Sequence, residues 1–317
     1  MHKSVLLKEV IEYLNPQSNQ NFIDCTLGGG GHTKAILEST APCGKVLGID
    51  LDPAAVKTAQ ILNSKYEIRN RLVAVEGNFK NLKKIVAENN FGPVHGILLD
   101  LGFRSEQLEN KGMSFLRHEI LDMRFGPSVG DLTAREIVNA WPEKDLADIF
   151  KKYGEEKNAA LIAGEIISAR KIKPIIYSDQ LAEVILGFYR KKFKTKKEIP
   201  WIGGLHPATR VFQALRIAVN GELENLKSVL PQATEILEPH GRLCVISFHS
   251  LEDRIVKHYF KHMSSAHGFP TNYESKRITN KLKILTKKPI TPSEEETQQN
   301  PRSRSAKLRA AEKLNSV

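Results

Sequence analysis

Over the first hundred positions, short apolar runs that end in an acidic residue alternate with stretches whose apolar residues recur every three or four positions. The first pattern marks strands buried on both faces, the second amphipathic helices. Val5, Leu6, Val10 and Leu14 share one side of a helix that Pro16 closes. Strands are predicted for a run ending in Asp24 and for 46–51, 72–76 and 94–101, with helices at 33–39, 53–62 and 82–88 between them. From Gly102 this alternation stops. Positions 134–140, 143–153, 156–171 and 178–193 instead carry successive helical periods, separated by Pro142, Gly154 and Pro174. The simplest arrangement is an α/β core at 1–106 and 207–317, interrupted by an all-helical insertion at 107–206. The core resumes with one long helix at 208–230, a fifth strand at 242–248 and a helix to His262. Late strands are predicted at 282–286 and 306–310, with 292–305 an exposed loop. There is no internal repeat.

The first strand runs into four consecutive glycines, D-C-T-L-G-G-G-G-H, before the next helix. Glycine there permits backbone conformations closed to other residues and lets a ligand lie against the peptide at a helix N-terminus. Asp50 ends the next strand about twenty residues on, the distance at which a nucleoside-binding fold places its ribose ligand. Gly28 and Gly30 fit the dinucleotide spacing, but His32 falls between Gly31 and Thr33. The loop therefore fits S-adenosylmethionine better than NAD. An oxidoreductase rests on fold analogy alone.

Composition adds a soluble, globular character and a polyanion-compatible surface. Forty-seven Lys and Arg against thirty-six Asp and Glu give a net charge of +11. The excess is clustered: 190–197 (R-K-K-F-K-T-K-K), 170–173 and 302–313. Each cluster reads as RNA-binding or as solvated surface, and three of them beside a nucleoside site favour RNA. Cys25, Cys43 and Cys244 have no metal-ligand spacing and are expected as thiols in a reducing cytosol, with no metal implied. No apolar run is long enough to span a bilayer, and the N-terminus lacks the apolar core of a signal peptide.

Asp24, Asp50, Glu76 and Asp100 all sit at strand ends, which in a doubly wound sheet open on one ligand-binding edge. Asp50 is expected at the ribose and Asp100 at the amino-acid part of the cofactor or at the target base. Phe79, after the third strand, faces either an adenine ring or the core. His249 and Asp253, in S-F-H-S-L-E-D-R, read as a base with its orienting acid or as a structural hydrogen-bond cluster.

The segments D-C-T-L-G-G-G-G-H-T, G-I-D-L-D-P, G-I-L-L-D-L-G, L-D-M-R, Y-G-E-E-K, H-P-A-T-R-V-F-Q-A-L-R-I, S-F-H-S-L-E-D-R-I-V-K and N-P-R-S-R-S-A-K-L-R occur in that order. Together they resemble the bacterial enzymes that methylate N4 of cytidine 1402 in 16S ribosomal RNA. The resemblance covers essentially the whole chain. It implies a class I, Rossmann-like, S-adenosylmethionine-dependent methyltransferase with a helical insertion for RNA recognition, acting in the cytoplasm on the small ribosomal subunit as a monomer or homodimer. Carried over by position, it implies cofactor contacts at Gly30, Gly31, His32, Asp50, Phe79, Asp100 and Gln107. Asp100, His249 and Asp253 are expected nearest the reacting amine. The chain departs from the family pattern at 103–107, 119–126 and 158–164, and carries D-L-G-F where many amino methyltransferases have D/N-P-P-Y/F. These departures leave a weakened or inactive RNA-binding relative as the alternative.

Overall fold

Ile23 lies between Leu47 on one side and Ile97 on the other, in parallel register with both. This is the centre of the computed structural model, which describes residues 4–65, 71–102, 111–126, 132–195, 197, 199, 201, 204–265 and 280–315. Strands β1 (Phe22–Asp24), β2 (Val46–Asp50), β3 (Leu72–Glu76), β4 (Val94–Asp100), β5 (Leu237–Ser247), β6 (Leu282–Ile284) and β7 (Lys307–Lys313) form one sheet in the order β3-β2-β1-β4-β5-β7-β6. Pairings from β3 through β5 are parallel, whereas β7 runs antiparallel to both β5 and β6. The strand order reverses between β1 and β4, so their carboxyl ends border a crevice of the kind that receives ligands. This is the class I methyltransferase-like α/β core expected from the sequence.

Both faces of the sheet are covered, which explains the continuous apolar runs. Ile97, Leu99, Leu243 and Val245 face a core that includes α4 (Leu82–Glu88) and α11 (Ser250–Met263), through Leu82, Ile85, Val256 and Phe260. The intervening Leu98, Cys244 and Ile246 face the opposite core. There they meet Val10 and Leu14 of α1 (Leu7–Leu14) and Ile36 and Leu37 of α2 (Gly31–Ser39). The two sets alternate along each strand, as a pleat requires. Helix α3 (Pro53–Lys65) joins β2 to β3.

The chain divides into two compact units, 1–102 with 223–317, and 103–222. In the second unit, α5 (Ala134–Ala140), α6 (Glu143–Gly154), α7 (Ala159–Ile172), α8 (Ser178–Phe193) and α9 (Thr209–Asn220) enclose their own core, centred on Ile137, Phe150, Ile162, Ile166, Leu181 and Ile185. Thr133 starts α5 with a capping box to Glu136.

Two sequence expectations are corrected here. The single helix at 208–230 is α9 followed by α10 (Glu222–Ile236), broken at Gly221, whose φ of 61° is left-handed. Val211, Phe212, Leu215 and Val219 of α9 pack into the core of the second unit, while Leu226, Val229 and Leu230 of α10 pack under the sheet. The return from the insertion therefore falls after Glu222 rather than at 206. The stretch at 292–305 is not simply a loop: Ser293 caps α12 (Glu294–Gln299), and a 3-10 turn over Pro301–Ser305 leads into β7. Among the described residues, no helix is long and apolar enough to cross a membrane.

Candidate cofactor and active site

The loop after β1 is held from below by two carboxylates. Asp24 is buried; its Oδ2 accepts from Thr33 Oγ1 at 2.7 Å and its Oδ1 from the Thr26 amide at 3.1 Å, tying the end of β1 to the first turn of α2. Asp50, at the end of the neighbouring β2, accepts from the Gly28 amide through Oδ2 at 2.8 Å and from the Asp52 amide through Oδ1 at 2.9 Å. A carboxylate has about four acceptor sites, so Asp50 can hold these amides and serve ribose hydroxyls as well. Gly28 and Gly30 are left-handed, with φ of 52° and 75°. Among the described residues a Cβ on Gly30 would meet nothing within 4 Å, so there the loop presents bare peptide at the start of α2. These donors and this geometry suit the nucleoside of S-adenosylmethionine, the cofactor of the fold.

Asp100 ends β4 on the other side of β1. Its amide donates to Thr26 Oγ1 at 2.7 Å, and its Oδ1 accepts from the Gly102 amide at 3.4 Å. Its Oδ2 lies 3.7 Å from His32 Nδ1. His32 is buried in the first turn of α2, with Nε2 2.9 Å from the Val5 carbonyl. A carbonyl only accepts, so Nε2 carries the hydrogen and donates it. The structure thus joins Gly30, Gly31, His32, Asp50 and Asp100 along one edge of the sheet. Phe79 opens the 3-10 turn after β3 and packs, partly buried, against the core beneath that edge. Glu76 is exposed. Gln107 lies outside the described residues.

His249 and Asp253 do not form the pair that their spacing suggested. His249 is the N-cap of α11: its Nδ1 accepts from the Glu252 amide at 3.5 Å, and its Nε2 lies 3.2 Å from Glu252 Oε1. Glu252 Oε2 in turn accepts from the Phe248 and His249 amides at 2.8 and 3.3 Å. Asp253 faces the other way, to Arg309 of β7 at 2.6 and 3.2 Å, with Lys307 3.9 Å away. The helix start exposes four amides, and the acid three residues after His249 is the one placed to reach back to them. Glu252 is the residue that sequence reasoning missed. Its signal was an acid at the third helical position, obscured because histidine is an unusual cap.

Burial pushes the Cys25 and Cys244 thiols well up from their ordinary value, Asp24 adding to the effect at Cys25, so neither is a thiolate nucleophile.

The basic clusters divide between internal and external use. Arg309 is committed to Asp253, and Lys313 Nζ donates to the Glu235 and Leu237 carbonyls. Arg170 donates to the Val138 carbonyl. Arg190 pairs with Glu183 and Lys191 with Glu165, whereas Lys194 and Lys197 are exposed beyond the end of α8. Arg190, Lys191, Lys194 and Thr195 line a surface pocket there.

The MraW methylase family matches this chain over residues 1–314. The ribosomal RNA small subunit methyltransferase H of Thermomicrobium roseum is 46% identical over 322 residues, covering 99% of this chain and 94% of that protein. The protein of the same name from Carboxydothermus hydrogenoformans is 44% identical, covering 99% and 98%. That from Halothermothrix orenii is 43% identical over the same shares. Matched over residues 1–314 by the family model and along 99% of its length by these relatives, the chain belongs to the MraW methylase family.

Proposed function

We propose that this protein transfers the methyl group of S-adenosylmethionine to N4 of cytidine 1402 in 16S ribosomal RNA. Its kinship along the whole chain with proteins named ribosomal RNA small subunit methyltransferase H carries this reading. It acts in the cytoplasm on the small ribosomal subunit, as a monomer or homodimer.

The cofactor, when bound, supplies an electrophilic methyl group on a sulfonium. The work of the protein is then positioning and charge stabilisation. The backbone of Gly30, Gly31 and His32 receives the cofactor, and Asp50 accepts from its ribose hydroxyls. Phe79 borders the adenine, and Gln107, outside the described residues, stays a cofactor candidate on the resemblance alone. Asp100 accepts an N–H of the exocyclic amine, which orients the nitrogen lone pair and stabilises the positive charge that develops as the bond forms. His249 is the late-cluster candidate for the amine, and its capping bonds to Glu252 fix its orientation. Asp253 serves this turn from behind, through Arg309. The target base must leave its stack to be reached, and Lys194 and Lys197 of the helical insertion supply charge for flanking phosphates.

Small subunits or 16S RNA from a strain lacking this modification, incubated with the protein and methyl-labelled S-adenosylmethionine, test the reading. Label on N4 of cytidine 1402 is expected. Absence of label there, with the cofactor bound normally, favours the inactive relative.

A further inference from the structure

Leu6 is a bulky, fully buried residue in the left-handed region, with φ 53° and ψ 36°. A branched side chain adopts that conformation only where its surroundings impose it, and such residues concentrate at functional sites. Three contacts from three consecutive residues hold it. The Leu6 amide donates to Glu296 Oε1 at 2.8 Å, across almost the whole length of the chain. The preceding carbonyl, of Val5, accepts from His32 Nε2 at 2.9 Å. Before that, Ser4 Oγ occupies the place that a Cβ on Gly31 would take. Residues 4–6 therefore lie directly on Gly31 and His32, the first two residues of α2, where the cofactor loop ends.

We propose that residues 4–6 are a strap that sets the cofactor loop, and that Glu296 is a remote positioning residue for S-adenosylmethionine binding. This rests on the reading of Gly30, Gly31 and His32 as cofactor contacts. The left-handed turn at Leu6 points the Val5 carbonyl at the imidazole while its own amide turns to Glu296. His32 then has one nitrogen committed to Val5 and presents the other to Asp100, 3.7 Å away. Loss of the Glu296 acceptor lets Leu6 relax toward ordinary backbone angles. The Val5 carbonyl then swings off His32, and the ring loses the bond that fixes its plane. Glu296 is itself placed firmly. Its amide donates to the Ser293 cap at 3.1 Å, and its carbonyl accepts from the Asn300 amide at 2.7 Å. A staple that merely joined the two ends of the chain would not need to act through the loop, and this difference is measurable.

Titration calorimetry of the full-length protein with S-adenosylmethionine and with S-adenosylhomocysteine, beside thermal unfolding, tests the strap. Glu296→Ala is expected to weaken both ligands about threefold to tenfold, and Glu296→Gln, which keeps the acceptor, to stay within about twofold of wild type. In turnover, KM for the cofactor rises while KM for RNA and kcat hold. As a second route, Gly31→Ala should weaken binding by colliding with Ser4, and Ser4→Gly in the same chain should restore part of it. Wild-type ligand affinity in Glu296→Ala, equal losses in the Ala and Gln variants, or no rescue by Ser4→Gly overturns the strap. A wild-type protein that binds neither ligand overturns the cofactor reading, and the strap with it.

Discussion

Arg309 grips both oxygens of Asp253, Nε to Oδ1 at 2.6 Å and Nη2 to Oδ2 at 3.2 Å, and so ties the antiparallel β7 to the first turn of α11. Both side chains are largely buried, at 8% and 14% exposure, so removing one strands a charge in a poorly hydrated place. Arg309→Ala is expected to destabilise the protein by about 3 kcal/mol, near the lower end for a broken buried pair because Lys307 remains within reach of the carboxylate. Chemical unfolding of Arg309→Ala, Asp253→Ala and the double variant checks this. The double variant should lose much less than the sum of the two, and additive losses would mean that the pair is not coupled.

Asp50 anchors the glycine loop and is also placed to accept from the cofactor, so its removal strikes binding twice. Asp50→Ala is expected to weaken S-adenosylmethionine by about 1–3 kcal/mol, since a charged acceptor of ribose hydroxyls is removed and the Gly28 and Asp52 amides lose theirs. Calorimetry reads this directly. Unchanged affinity would remove Asp50 from the site.

Gly30 allows folding and binding to be separated. Its φ of 75° makes alanine costly by about 1–2 kcal/mol, although a Cβ would touch nothing among the described residues. Asparagine tolerates this conformation better than alanine, so Gly30→Asn should recover part of that stability. Both variants place a side chain in the space left for the ligand, and both should bind S-adenosylmethionine more weakly. If Gly30→Asn binds as well as wild type, the open space over Gly30 is not where the cofactor lies.

The sequence revealed the sheet better than it revealed the site. The strand at 72–76 and the helix at 82–88 have the bounds their apolar spacing indicated, and the continuous apolar runs of β2 and β4 follow from burial on both faces. The break at Gly221 was hidden because α9 and α10 continue one apolar period while burying it in different cores. Of the two readings of His249 and Asp253, the direct pairing is the one the structure does not form, because sequence spacing does not show which way each side chain turns from the first turn of a helix. The bond between Val5 and His32 was not legible at all. It depends on a left-handed leucine, and leucine is a poor signal for that conformation.

His206 should impose a mild acid sensitivity on stability. Its ring is stacked on Phe115, with centroids 4.2 Å apart and planes 8° off parallel, and its Nδ1 accepts from the Ala208 amide at 3.2 Å. Burial holds its pKa below the ordinary value, in keeping with a nitrogen that must stay unprotonated to accept. The unfolded chain then takes up a proton more readily than the folded one. Stability contributed here is present above about pH 6.5 and is lost as pH falls from there toward the lowered folded value. Thermal unfolding between about pH 7.5 and 5 should show this slope, and it should be shallower in His206→Gln. An identical slope in the variant would assign the effect to other groups.

The cluster at 190–197 should not act as six equivalent charges. Arg190 and Lys191 are already paired with Glu183 and Glu165, whereas among the described residues Lys194 and Lys197 make no such pair and stand exposed past the end of α8. A phosphate that displaces a carboxylate gains less than one that meets an unpaired ammonium, since the broken pair offsets part of the new attraction. The double variant Lys194→Ala/Lys197→Ala is therefore expected to weaken RNA binding and flatten its dependence on salt by about 0.7 logarithmic units for each phosphate left unneutralised, the single-strand value. Lys191→Ala should flatten it less. Affinity for 16S RNA measured across a salt series distinguishes the two. Equal slopes for wild type and the double variant would make the end of α8 ordinary solvated surface, and a larger effect from Lys191 would show that its pair with Glu165 opens for RNA.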